Sequence, residues 1–179
     1  MTRIVIVSGP PGAGKSTVTA QLARRVDAEL SMHLRADDIY DYIRQGFVEP
    51  WRAESKRQNG VLMEALAAQA GVCAAAGYTV FVDGVVGPWY AEPWIKAAQE
   101  RGVELHFVLL LPDEATTVAR ATTRKNHRMT DGEVTALIWR RFREYAPPEG
   151  FILDSTGLDA AQTVAAIFDG LAKGRFRLG

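Results

Sequence analysis

Apolar positions along the chain alternate between two spacings, and the alternation predicts most of the elements. Ile4-Val5-Ile6-Val7 is an unbroken β-branched run of the kind a strand shows when both its faces are buried. Past a glycine-rich stretch, Val18, Leu22 and Val26 fall at helical spacing, which predicts a helix from about Gly14. Residues 28–34 read as a second, short strand. Ile39, Tyr40, Tyr42 and Ile43 read as a short helix closed by Gly46. Residues 54–76 read as a long helix, with Val61, Leu62, Ala65, Leu66, Val72 and Cys73 in its repeat and Gly77 suited to its C-terminal end. Gly60 and Gly71 inside it cost about 1 kcal/mol each against alanine. Residues 78–84 and 103–111 are strands, the first of these followed by a helix to Arg101. Pro112-Asp113-Glu114 opens a helix expected to run to about Lys125, and Asp131 caps another that ends before Pro147-Pro148. Residues 151–153 form a last short strand and 159–173 a last helix.

Five strands alternating with helices predict an α/β fold, a parallel sheet with right-handed crossovers and helices on both faces. At 179 residues the expectation is one domain, 1–179. Ligands of such sheets bind outside the carboxyl ends of the strands. That rule selects residues 9–17, 35–38, 83–90, 112–114 and 154–157.

The first of these segments carries the most specific signal. Gly9-Pro10-Pro11-Gly12-Ala13-Gly14-Lys15-Ser16-Thr17 fits G-x-x-x-x-G-K-[ST], with a strand before it and a helix after it. Gly9, Gly12 and Gly14 carry no Cβ and tolerate positive φ, so backbone N–H groups can curl around a phosphate at a helix N-terminus. Lys15 is placed to reach the β- and γ-phosphates, the Ser16 hydroxyl to ligate Mg²⁺, and Thr17 to lie near the α-phosphate. A glycine-rich turn with a solvated lysine is the plainer alternative, which the flanking strand and helix disfavour. ATP with Mg²⁺ is therefore the expected ligand.

Composition narrows the classes. Hydrophobic residues make up 47% and charged residues 23%, an ordinary globular balance. The formal net charge of zero offers no global field to nucleic acid or an anionic membrane, so neither is an expected partner. The single cysteine, Cys73, excludes an internal disulfide and suits a reducing cytoplasm as the expected location. No stretch approaches the roughly 20 apolar residues of a membrane span.

Acids and bases at the strand ends supply candidate chemistry. Asp83 ends an apolar strand and is a candidate to hold Mg²⁺, against a turn aspartate ahead of Gly84. Asp37 is the candidate to take a proton from a substrate hydroxyl and Asp38 the more structural of the pair, with the reverse assignment and simple helix capping left open. Arg120, Arg124 and Arg128 are four apart and share a helix face leading into a polar loop with His127, which suggests a basic lid over residues 120–131. Trp51, Trp89, Tyr90 and Trp94 either wall an acceptor pocket or anchor loops in the core. Arg52 and Arg57 either neutralise an anionic acceptor or face water, and His33, inside a strand, reads as a core histidine.

Together these residues resemble the small P-loop kinases of the nucleoside-monophosphate and shikimate kinase type over nearly the whole chain. Residues 9–17 look like their Walker A loop, Phe81-Val82-Asp83-Gly84 is similar to their strand-three acid, and Asp37-Asp38 resembles the acid near the acceptor hydroxyl. Val85-Val86-Gly87 stands where adenylate kinases have Phe-Pro-Arg, and only Gly84 and Gly87 stand where shikimate kinases carry three glycines. The overall pattern looks most like the chloramphenicol-phosphotransferase-like and tunicamycin-resistance-like group. The resemblance implies the strand order 2-3-1-4-5 and places residues 154–157, with Thr156, against adenine. It implies an ATP- and Mg²⁺-dependent transfer to a hydroxyl of a small molecule: Lys15, Arg124 and Arg128 at the transferring phosphoryl, Arg120 on the nucleotide, Asp37 as base. A nucleoside or nucleotide kinase and a partner-directed NTPase switch are the alternatives, and a monomer or a homodimer would serve equally.

Overall fold

The computed structural model describes residues 2–123 and 130–178. Its elements are β1 (Arg3–Ser8), α1 (Lys15–Arg25), β2 (Ser31–Arg35), α2 (Lys56–Ala75), β3 (Thr79–Gly84), α3 (Ala91–Gln99), β4 (Glu104–Leu110), α4 (Glu114–Thr122), α5 (Gly132–Glu144), β5 (Ile152–Leu153) and α6 (Ala160–Ala172). The five strands form one parallel sheet in the order β2-β3-β1-β4-β5, as the resemblance implies.

The unbroken apolar runs follow from helices lying on both faces of this sheet. Side chains alternate across a strand, so Ile4, Ile6, Val80, Val82, Phe107 and Leu109 turn to one core, where α2 and α3 supply Met63, Leu66, Ala70 and Trp94. Val5, Val7, Phe81, Val108 and Leu110 turn to the other, against Val18 and Leu22 of α1 and Val164, Ile167 and Leu171 of α6. β1 lies between β3 and β4, and its apolar residues are essentially inaccessible.

Several boundaries differ from those expected. β2 begins at Ser31 rather than at residue 28, because residues 26–28 are held in a turn by the Ala28 N–H donating to the Val26 carbonyl. As an edge strand it is only half covered, so its apolar pattern is weak. The short helix after it is a 3₁₀ helix, Ala36–Tyr42. Helix α2 runs unbroken through both glycines. At Gly71 the reason is contact: an added Cβ would lie 3.2 Å from the Ala97 carbonyl oxygen and 3.0 Å from Arg101 Cδ, so glycine lets α3 approach. The C-terminal tail covers β4 where the two-residue β5 leaves it bare. The Phe107 N–H donates to Phe176 O at 2.9 Å and the Leu178 N–H to Leu105 O at 2.8 Å.

Candidate nucleotide and acceptor site

The loop between β1 and α1 is held by contacts that exclude larger residues. Gly12 has φ +88°, and a Cβ there would lie 2.2 Å from the Thr117 carbonyl oxygen, so the loop lies directly against α4. Gly14, at φ +89°, caps α1, whose first turn carries no acidic residue to offset its positive end. Ala13 is buried and its N–H donates to Pro10 O at 3.2 Å. Lys15 is also buried, and its Nζ donates to Pro10 O at 2.9 Å across the same loop. Ser16 and Thr17 are exposed at the start of α1.

Asp83 is brought to this loop by the register of the sheet. It pairs with Val7 on one side and Arg35 on the other, and its side chain emerges on the α1 face. Its Oδ2 accepts from the Ser16 hydroxyl, and its Oδ1 lies 2.5 Å from His33 Nε2. Burial pushes the Asp83 carboxyl up. Hydrogen bonds from His33 and Ser16, with the charges of His33 and Lys15, outweigh that and hold it below the usual aspartate range. His33, expected to be a core histidine, is the partner of this acid. It lies opposite Phe81, so Asp83 two residues on projects from the same face. Only the pairing of β2 with β3 could have revealed it.

A hydroxyl and an ionised carboxylate meeting beside a phosphate-binding loop are hard oxygen donors suited to Mg²⁺. That ion commonly takes one or two protein oxygens and completes its shell with phosphate and water. Among the described residues no cluster of three or more His, Cys, Asp or Glu forms a metal site made by protein alone. Ser16 and Asp83 thus fit the ion in the presence of a triphosphate.

Asp37 sits at the first turn of the 3₁₀ helix, and its Oδ1 accepts from the Val85 N–H at 3.4 Å. Asp38 is paired with Arg35 at 3.3 Å. Both acids, with Lys15, Ser16 and Asp83, line one cleft of about 1320 Å³. Trp51, Trp89 and Tyr90 line it too, with Trp89 and Tyr90 also packed against the core, whereas Trp94 of α3 is wholly buried and does not line the cleft. Arg52 pairs with Glu54 at 3.7 Å, and neither it nor Arg57 lines the cleft. Arg44 and Arg141 do line it, though neither stood out in the sequence. The Arg141 guanidinium lies 4.3 Å over the Trp89 ring.

Arg120 and Thr156, which do not line this cleft, are joined to each other. Arg120 donates to the Thr156 carbonyl at 3.3 Å, while Thr156 Oγ1 accepts from the Asp113 N–H at 2.8 Å and donates to Asp154 Oδ1 at 2.5 Å. Arg124, His127 and Arg128 lie outside the described residues.

A family profile described as AAA domain matches residues 4–149. The chain belongs to this AAA-domain family. No curated protein sequence matches it significantly. Solved structures show the same fold at low identity. The tunicamycin resistance protein of Deinococcus radiodurans has a TM-score of 0.65 at 16% identity, covering 96% of each chain. An APS kinase of Mycobacterium tuberculosis, solved with AMPPNP and APS, has a TM-score of 0.69 at 16% identity over 95% of this chain and 97% of its own. A gluconokinase of Sinorhizobium meliloti has a TM-score of 0.63 at 19% identity over 96% and 93%. The fold of this AAA-domain protein is that of the small P-loop kinases of the shikimate and gluconate kinase-like group. Among the described residues no helix is long and apolar enough to cross a membrane.

Proposed function

We propose that the chain is an ATP- and Mg²⁺-dependent kinase that phosphorylates a hydroxyl of a small molecule. The observation that carries this reading is a single cleft in which Lys15, Ser16, Asp83 and Asp37 meet an aromatic wall. Such a cleft gives room for a triphosphate end and an acceptor at once. The kinases among the structural neighbours support the same class.

In this reading the loop amides and Lys15 hold the β- and γ-phosphates, and Arg120 with Thr156 holds the nucleotide's other end. Ser16 and Asp83 would hold Mg²⁺, which supplies charge neutralisation at the phosphates. Asp37 accepts the proton as the acceptor oxygen forms its bond to the γ-phosphorus and the bond to the β–γ bridging oxygen breaks, so ADP leaves. Asp38, in its ion pair with Arg35, is the more structural of the two acids. Arg124 and Arg128 would stabilise charge on the transferring group.

Incubation with ATP, Mg²⁺ and a pooled set of alcohols should yield an acceptor heavier by one phosphate in mass spectrometry. Asp37→Asn should bind ATP normally and transfer about 10²–10⁴-fold more slowly. Unchanged turnover in that variant would remove the base assignment, and no phosphorylated product from any alcohol would remove the kinase.

A further inference from the structure

Beyond Asp37 the cleft is walled mainly by ring and aliphatic side chains. Tyr42 ends the 3₁₀ helix and Phe47 and Trp51 come from the segment after it, while Trp89 and Tyr90 come from the loop after β3 and Leu137 from α5. Tyr42 is 77% exposed, Phe47 45% and Leu137 56%. Of the seven large apolar side chains left this open among the described residues, these three line the cleft. A fourth, Tyr145, packs edge-on against Trp89 with ring centres 6.0 Å apart. Concentration of exposed apolar groups at one concavity marks a ligand surface.

The one uncharged amide of this lining, Asn59, and the Tyr40 hydroxyl are engaged with the protein itself. The Tyr40 hydroxyl donates to Asn59 Oδ1 at 3.1 Å, and Asn59 Nδ2 donates to Pro50 O at 2.8 Å and Ser55 Oγ at 2.9 Å. The Gln58 amide bridges the Val48 N–H and carbonyl at 2.9 and 2.7 Å. These amides tie down the loop that carries Phe47 and Trp51, and they present its rings to the cleft. Charged groups on the same walls balance: Arg44 and Arg141 against Asp41 and Glu49, with Arg35 paired to Asp38. A site built to bind a polyol by hydrogen bonds rejects apolar analogues strongly, and an apolar site recruits them instead.

Resting on the kinase reading, we infer that the acceptor is an uncharged, ring-bearing alcohol with a largely apolar body, rather than a polyol, a sugar acid or an anionic ester. Its ring lies between the 42–51 segment and the Trp89–Leu137 side, which leaves one hydroxyl to approach Asp37.

The test uses the full chain and three matched panels: phenyl, naphthyl and indolyl carbinols; glycerol, ribitol and gluconate; and nucleosides. Binding is read by ligand-observed NMR with AMPPNP and Mg²⁺ present, and transfer by ³¹P NMR with ATP. Aryl carbinols should bind and be phosphorylated. Leu137→Ser and Phe47→Ser should each weaken their binding at least fivefold, and Val72→Ser, an equally exposed apolar position on α2, should not. Transfer to polyols, gluconate or nucleosides with at least tenfold higher kcat/KM would overturn the inference and leave the kinase reading standing. Aryl carbinol binding that depends on Leu137, without phosphorylation of any alcohol in the three panels, would overturn the kinase reading and leave the apolar site standing.

Discussion

Replacing Gly84 with alanine should disable phosphoryl transfer without touching the nucleotide. A Cβ at this position would stand 2.7 Å from Ala36 Cβ and 3.2 Å from Asp37 Oδ1. Carbon atoms in contact settle at about 3.5–4.0 Å, so one side must retreat by roughly 1 Å. β3 is the less able to move, since Gly84 continues its ladder with Ser8 of the buried β1. The turn after β2 therefore shifts and takes Asp37 with it. A catalytic group displaced by about 1 Å commonly costs about 100-fold in rate. Lys15 and Ser16 stand on α1, away from this clash, so affinity for AMPPNP should stay within about twofold of the parent. Overpacking should also cost roughly 1–3 kcal/mol of stability, so rates are compared well below the melting temperature of the variant. Gly60→Ala is the control. Nothing lies within 4 Å of a Cβ there, and alanine should stabilise α2 by about 1 kcal/mol with activity intact. Single-turnover transfer to an acceptor found by the pooled screen, beside titration of AMPPNP, separates the two effects. Wild-type turnover in Gly84→Ala would refute the idea that this close approach sets the base.

Three further outcomes follow from single contacts. His33→Ala removes the partner that orients Asp83 Oδ1, so the Mg²⁺ concentration giving half-maximal binding of a fluorescent ATP analogue should rise about tenfold; an unchanged midpoint would leave His33 without a role in the site. Phe176 is fully buried against Gly170, and Phe176→Ala should cost about 3–5 kcal/mol and lower Tm by roughly 10 °C in a thermal scan; a shift under 3 °C would refute the tail's contribution. Burial holds the His106 imidazole below the usual histidine pKa, Arg3 and Arg177 add to this, and Glu104 partly opposes it. The unfolded chain then gains a proton near pH 6.5 that the folded chain refuses, so stability intact above that pH falls on acidification by up to about 1.4 kcal/mol per unit. Urea unfolding at pH 7.5 and 5.5 should show a smaller loss in His106→Gln than in the parent, and equal losses would refute this.

What the sequence discloses about this chain depends on how local the cause of each feature is. The inner strands are legible because lying between helices on both faces forces continuous apolar runs, as at Ile4-Val5-Ile6-Val7 and Val80-Phe81-Val82. β2, open along one edge, carries no such run, and its start was misplaced. The P-loop is legible because its spacing is set by the shape of a phosphate. Asp37 and Asp83 follow from their positions at strand ends. Partners across the sheet are another matter. His33 meets Asp83 through a register between β2 and β3, and Phe176 reaches the core because Gly170 leaves room for its ring. Pro88-Trp89 and Pro93-Trp94 are locally alike, yet Trp94 lies inside α3 facing the core while Trp89 sits on a 3₁₀ turn at the cleft. Helical phase, not composition, separates an anchor from a wall. Nothing local in the sequence marks Arg141, in α5, for the cleft. It becomes a cleft residue only because α5 lies where its guanidinium stacks on Trp89. In the proposed kinase the phosphate end of the site is thus written in motif spacing and the acceptor end in tertiary packing, so the proposal expects the acceptor to change through residues such as Phe47, Trp89 and Leu137 while the nucleotide loop stays the same.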